Sequence, residues 1–171
     1  MPIFTRVPDV YWQCKGTAEG YTELNAFDGA LLAAGIGDTN LLKISSIVPP
    51  ACQRVDPIPL PFGALVPIAY AAQASSEPGE WIAAAVACAV PHDAKQAGLI
   101  MEFHGSGWRA KDAEEHVREM AKQGFLMRNR EFKELVSIAS EHQVKSKGAA
   151  FAAIVLWWSD WADQAAAPPG M

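Results

Sequence analysis

The sequence is short of cysteine, of excess positive charge and of long apolar runs, and each shortage removes a class of function. Cys14, Cys52 and Cys88 are its only cysteines. They are odd in number and widely spaced, which indicates neither a disulfide framework nor a Cys-x-x-Cys metal motif. Lys and Arg number 14 against 19 Asp and Glu, a formal net charge of −5. That balance argues against nucleic acid or an anionic membrane surface as partner. The longest apolar run, GAAFAAIVLWW over 148–158, falls far short of the roughly 20 residues a membrane-spanning helix needs. No basic stretch followed by an apolar one opens the chain, so no signal peptide is visible and a cytoplasmic location is expected. His92, His104, His116 and His142 are dispersed and lack the His-Glu-x-x-His spacing of a zinc site, so no metal is expected. A Gly-x-Ser-x-Gly elbow is also absent. A Ser-His-Asp triad assembled from distant segments is disfavoured by this but not excluded.

What remains is a globular composition, 171 residues of which 50% are hydrophobic, long enough for one domain with a substantial core. Leu24, Phe27, Leu31 and Ala34 recur at close to helical spacing and predict a helix over 24–36, with Asn25 as candidate N-cap and Gly35 and Gly37 closing it. The GIGDTN stretch closes this helix instead of following a strand and opening one, so it reads as a turn and not as a phosphate loop. A second helix is predicted over 109–124, with Ala113, Val117, Met120, Ala121 and Gly124 as its inner stripe and His116 on the charged, solvated side. Strands are expected near 10–14 and over 40–48, 64–75, 81–90, 97–105, 134–144 and 149–158. Pro67 belongs at an edge or bulge. Six prolines between 49 and 67 make that segment extended and loop-like. The residues from 159 to 171 read as a frayed tail. Several strands with two helices give the α+β class, in a layered arrangement.

One stretch resists this reading. The strand-like LLKISSIVPP, 41–50, carries Ser45 and Ser46 where apolar side chains belong. A buried hydroxyl without a partner costs about 1–3 kcal/mol. On the residues alone, the pair reads as two satisfied hydroxyls in an edge strand.

Its surroundings change that. LNAFDGALLAAGIGDTNLLKISSIVPP (24–50) resembles the cleavage region of pyruvoyl-dependent arginine decarboxylases. The resemblance continues in PFGALVPIAYA (61–71), GLIMEFHG (98–105), VREMAKQGFLMR (117–128) and GAAFAAIVLWW (148–158). It is weakest in the first twenty or so residues and after Trp158. The resemblance implies a chain that cuts itself between Ser45 and Ser46. The Ser46 hydroxyl attacks the Ser45 carbonyl, the resulting ester eliminates, and hydrolysis leaves a pyruvoyl group at 46 and a separate fragment 1–45. No pyridoxal phosphate and no metal take part. The pyruvoyl ketone then forms a Schiff base with the amino acid and acts as electron sink for decarboxylation.

The resemblance also assigns roles. Glu102 matches the family's general acid, and its flanks Ile100, Met101 and Phe103 are apolar, although alternation alone equally lets it face water. Asp28 matches the acid that binds the substrate guanidinium, a suitable partner for a carboxylate; by itself it reads as a solvated acid near a helix N-terminus. Asn40 matches an asparagine needed for self-processing. Residues 40 and 46 share a face of a regular strand, but at ~3.3 Å per residue they lie about 20 Å apart. Either the chain turns between them or Asn40 comes from a neighbouring subunit. The implied architecture is a single-domain αββα-type sandwich, assembled as a homotrimer with sites between subunits. The implied reaction takes arginine to agmatine and CO2. A pyruvoyl decarboxylase for another amino acid, or an uncleaved non-catalytic member of the family, are the alternatives.

Overall fold

The structure, a computed structural model, describes residues 6–161. In chain order it contains β1 (Val10–Glu19), α1 (Glu23–Ala33), β2 (Asn40–Lys43), β3 (Ile47–Val48), β4 (Gln53–Arg54) and β5 (Leu65–Ser75). Then come β6 (Trp81–Pro91), β7 (Gly98–Ser106), α2 (Ala110–Met127), β8 (Phe132–Gln143) and β9 (Gly148–Trp157). The strands form two sheets, one ordered β2-β5-β9-β1-β4 and the other β3-β7-β6-β8. The class is mixed α/β.

The apolar run at the end of the chain explains the centre of the first sheet. All ten residues of β9 are buried. Phe151, Ala153, Val155 and Trp157 pack with Ala26, Ala30 and Leu31 of α1. The alternate residues Ala150, Ala152, Ile154 and Leu156 pack with Ile82, Ala84, Val86 and Cys88 of β6. A strand covered on both faces loses alternation and reads as a continuous apolar run. β6 repeats the logic in the second sheet, where Ala83, Ala85, Ala87 and Ala89 meet Val117, Ala121 and Phe125 of α2. The closeness of α1 to β1 depends on Gly16, since a methyl there would overlap the Ala30 carbonyl oxygen.

Several boundaries depart from expectation, each for a local reason. α1 starts at Glu23, with Thr22 and not Asn25 as its cap: Thr22 is extended (φ −126°, ψ 169°) and its hydroxyl accepts from the Asn25 N–H at 3.1 Å. The helix ends at Ala33, three residues early, and Gly35 takes the left-handed conformation (φ 78°) that turns the chain. β1 runs on to Glu19, paired with β9 throughout. The proline-rich segment contains β4, two residues paired parallel to β1. Pro67 lies where β5 pairs with β2 but not yet with β9, whose ladder begins at Ile68, so its missing N–H is tolerated. His116 is exposed yet not simply solvated, because its ring rests against Phe103 and Trp108 with centroids 4.6 and 5.5 Å away. Trp161 packs on Trp157 at 5.6 Å; the rest of the expected tail, 162–171, lies outside the described residues.

The largest correction concerns 40–48, which is two strands and not one. β2 pairs parallel to β5 in the first sheet, whereas β3 pairs antiparallel to β7 in the second. Residues 44–46 cross from one sheet to the other. Ser46 has φ 69°, which no strand residue adopts. Alternation looks the same on either side of such a crossing, so the sequence pattern carried straight through it.

Candidate active site

The crossing is held at both ends by backbone hydrogen bonds. The Ile44 N–H donates to the Ile68 carbonyl in β5 at 3.0 Å, and the Ile100 N–H in β7 donates to the Ser46 carbonyl at 2.8 Å. The Ser45–Ser46 peptide is therefore slung between the edges of two different sheets. Ser46 sits there half-buried in the left-handed region, at a cost of about 1–2 kcal/mol for an L residue with a side chain. Strain of this kind persists only where the surroundings over-determine it. The two anchors supply that constraint.

Across the crossing, the Ser46 hydroxyl donates to Oε1 of Glu102, 56 residues further along the chain. Glu102 lies opposite Val86 in the β6–β7 ladder. It shares a face of β7 with Ile100, which is fully buried between the sheets. Glu102 thus points into the seam between the sheets at its rim, half-buried, and not to open water. Two residues on, His104 Nδ1 lies 2.9 Å from Gln73 Oε1 of β5, and this pair spans the same seam.

The remaining predicted residues lie elsewhere. Asn40 opens β2, where its side-chain amide donates to the Gly63 carbonyl at 2.9 Å and its own N–H donates to the Ala64 carbonyl at 2.8 Å. It staples β2 to the 61–64 turn, and among the described residues no hydrogen bond joins it to Ser45 or Ser46. Asp28 is exposed in the middle of α1, on the outer side of the first sheet. No hydrogen bond or ion pair among the described residues connects it with Ser46, Glu102 or Asn40. Ser45 is exposed and lines a groove of about 320 Å³ with Leu42, Ile44, Ile47, Leu65 and Trp158.

Other nucleophiles and ligand clusters are poor competitors. Burial pushes the thiols of Cys14, Cys52 and Cys88 up to about 12, so all three stay protonated near neutrality. No group of three or more His, Cys, Asp or Glu side chains among the described residues is placed to hold a metal ion. The anchors Ile68 and Ile100 were invisible to sequence reasoning, because they act through backbone atoms that every residue carries.

A mixed α/β protein with a strained serine and a carboxylate at the junction of two sheets is the class that fold and site define. Residues 10–159 match the model of the pyruvoyl-dependent arginine decarboxylase family. A protein of that name from Methanocaldococcus jannaschii is 52% identical over 156 residues, covering 91% of this chain and 93% of its own length. Another, from Methanococcus maripaludis, is 50% identical over 152 residues, 88% of this chain and 92% of its own. A third, from Pyrococcus abyssi, is 43% identical over 143 residues, 82% of this chain and 89% of its own. The chain belongs to the pyruvoyl-dependent arginine decarboxylase family. Its residues fit a prosthetic group made from the chain itself: residue 46 is a serine, its backbone is strained, and the side chain touching its hydroxyl is a carboxyl able to carry a proton.

Proposed function

We propose that the chain cuts itself between Ser45 and Ser46 and, in its processed form, converts arginine to agmatine and CO2. One observation carries this reading: a left-handed Ser46, anchored on both sheets, whose hydroxyl is held by Glu102. Attack of the Ser46 Oγ on the Ser45 carbonyl forms an ester as the Ser46 nitrogen leaves and gains a proton. Loss of the Ser46 α-hydrogen then breaks the Cβ–O bond and frees Ser45 as a carboxylate. The residue left at 46 hydrolyses to ammonia and an N-terminal pyruvoyl. An ordinary peptide is planar and resonance-stabilised. The strain stored at Ser46 and the orientation of its hydroxyl both lower the barrier to attack.

When formed, the pyruvoyl group supplies the electron sink that decarboxylation needs. Glu102, beside residue 46 at the rim of the apolar seam, is the general acid that returns a proton to the substrate α-carbon. Asn40 acts in processing by fixing the start of β2, and with it where β2 delivers Ser45. Asp28 binds the guanidinium of the substrate, a bidentate match for a carboxylate.

Asp28 and Ser46 are unconnected within one chain, and this favours a homotrimer with sites between subunits. Leu24 and Leu32, 74% and 56% exposed, flank Asp28 four residues to either side on α1. Apolar side chains at that spacing form a docking stripe for a neighbouring copy. The chain works as one domain with α1 and α2 outside the two sheets, an αββα-type sandwich. Its three unpaired thiols suit a reducing cytoplasm.

Intact-mass measurement of the purified protein, with agmatine and CO2 assayed on the same sample, tests the reading. Two fragments ending and starting at the serine pair, with arginine turnover, are expected. A single full-length mass would refute self-processing, and turnover of another amino acid in place of arginine would refute the substrate.

A further inference from the structure

Among the described residues, one charged side chain lines the groove beside Ser45. Its walls are Pro8, Leu42, Ile44, Ile47, Pro49, Leu65, Pro67, Leu156 and Trp158, and Arg6 stands among them together with Ser45 itself. We infer that Arg6 is the receptor for the carboxylate that self-cleavage creates at Ser45, so that the groove retains the new chain end. The inference rests on the cleavage reading above.

The chemistry calls for such a partner. In the intact chain Ser45 contributes a neutral peptide to this groove. After cleavage it contributes a full negative charge at the exposed edge of apolar walls, where water solvates one side and a cation in the groove pairs the other. Upstream, β2 and the Ile44 N–H hold the fragment on β5, so residue 44 remains in place when the bond breaks. The new carboxylate is then tethered one residue beyond an anchored position, in a groove whose one cation among the described residues is the Arg6 guanidinium.

Arg6 can take this second partner without losing its first. It is paired with Asp160, and both recorded hydrogen bonds, 2.7 and 2.8 Å to the two carboxylate oxygens, use Nη2. Among the described residues nothing accepts from Nη1 or Nε, donors on other edges of the planar guanidinium, which can bridge two carboxylates. The Arg6–Asp160 pair, with Asp9 accepting from the Ser159 N–H at 2.8 Å and hydroxyl at 2.7 Å, ties the chain before β1 to the end of β9. Arg6 is therefore held beside the groove before cleavage occurs.

The test uses the processed full chain and a carboxypeptidase, with the 1–45 fragment followed by mass. A chain end must leave its groove to be trimmed, so the rate reports the open population. In the wild type the fragment keeps Ser45. In Arg6→Ala, Ser45 and then Ile44 are lost on the order of tenfold faster, the scale of one charge-assisted hydrogen bond. Asp160→Asn removes the partner's charge but keeps Oδ1 as an acceptor for Nη2, so the guanidinium stays beside the groove and the fragment stays protected. Trimming of Arg6→Ala at the wild-type rate overturns the inference. So does equal exposure in Asp160→Asn, which would mean that anchoring before β1, and not capture of the carboxylate, protects the end. A chain that shows no fragments at all refutes the cleavage reading itself, and this inference with it.

Discussion

Replacing Glu102 with glutamine separates the hydrogen bond its carboxyl accepts from Ser46 from the proton transfer proposed for it. The side chain keeps its shape, and its amide oxygen still accepts the Ser46 hydroxyl hydrogen bond, so the crossing and the seam stay as they are. What disappears is the exchangeable proton. A positioned acid or base contributes about 10²–10⁴-fold to a proton-transfer step, or about 2.7–5.5 kcal/mol of barrier. Among the described residues no side chain but Glu102 hydrogen-bonds the Ser46 hydroxyl, so none is already placed to take over its role. The expected result is a protein that folds with unchanged thermal stability, still yields the two fragments, and turns over arginine at 10⁻² to 10⁻⁴ of the wild-type kcat. KM should change little, because the substrate contacts assigned to Asp28 are untouched. Agmatine formation by fully processed protein, with the fragment ratio measured on the same sample, decides the matter. A Glu102→Gln enzyme within about threefold of wild-type kcat would refute the acid role, since that is a barrier change under 1 kcal/mol.

Three further outcomes follow from the same geometry. Asn40→Ala removes one exposed hydrogen bond to Gly63, worth about 0.5–1.5 kcal/mol, and loosens the start of β2. The fragments should appear several-fold more slowly in a mass time course after synthesis, with the fold retained. Gly16→Ala forces α1 away from β1 and should lower stability in urea by about 1–3 kcal/mol, the usual range for overpacking. Glu19 gives a pH dependence. Burial raises its carboxyl, but the N–H groups of Lys145, Ser146 and Lys147 together with His142 outweigh that and bring it from 4.5 down to about 2. A lowered folded value means that its stabilisation is complete above about 4.5 and is lost as pH falls through about 2. The gap in urea midpoint between wild type and Glu19→Gln should be wide at pH 5 and close by pH 2.

The elements whose burial is uniform were legible. The long run in β9, the alanine-rich β6 and the stripe of α2 each announce what they pack against, because burial on one or both faces writes a period into the side chains. The serine pair stood out for the same reason, as a break in that pattern. Thr22 and Asn25, three residues on, are chemically equal candidates for the cap, and only the extended backbone at Thr22 decides between them.

By itself the sequence marked the serine pair as out of place in a strand, and its resemblance to a family gave the chemistry and the residues proposed to carry it. It could not say where the strand around the serines stops. Partners in a sheet are chosen by contacts far along the chain, Ile68 for one side of the crossing and Ile100 for the other, and these contacts involve backbone atoms that no side-chain pattern reports. The tertiary structure alone decided that Ser46 lies in a left-handed turn between two sheets and that Glu102 meets its hydroxyl. It also decided that Asn40 serves the neighbouring turn and that Arg6 waits in the groove beside Ser45.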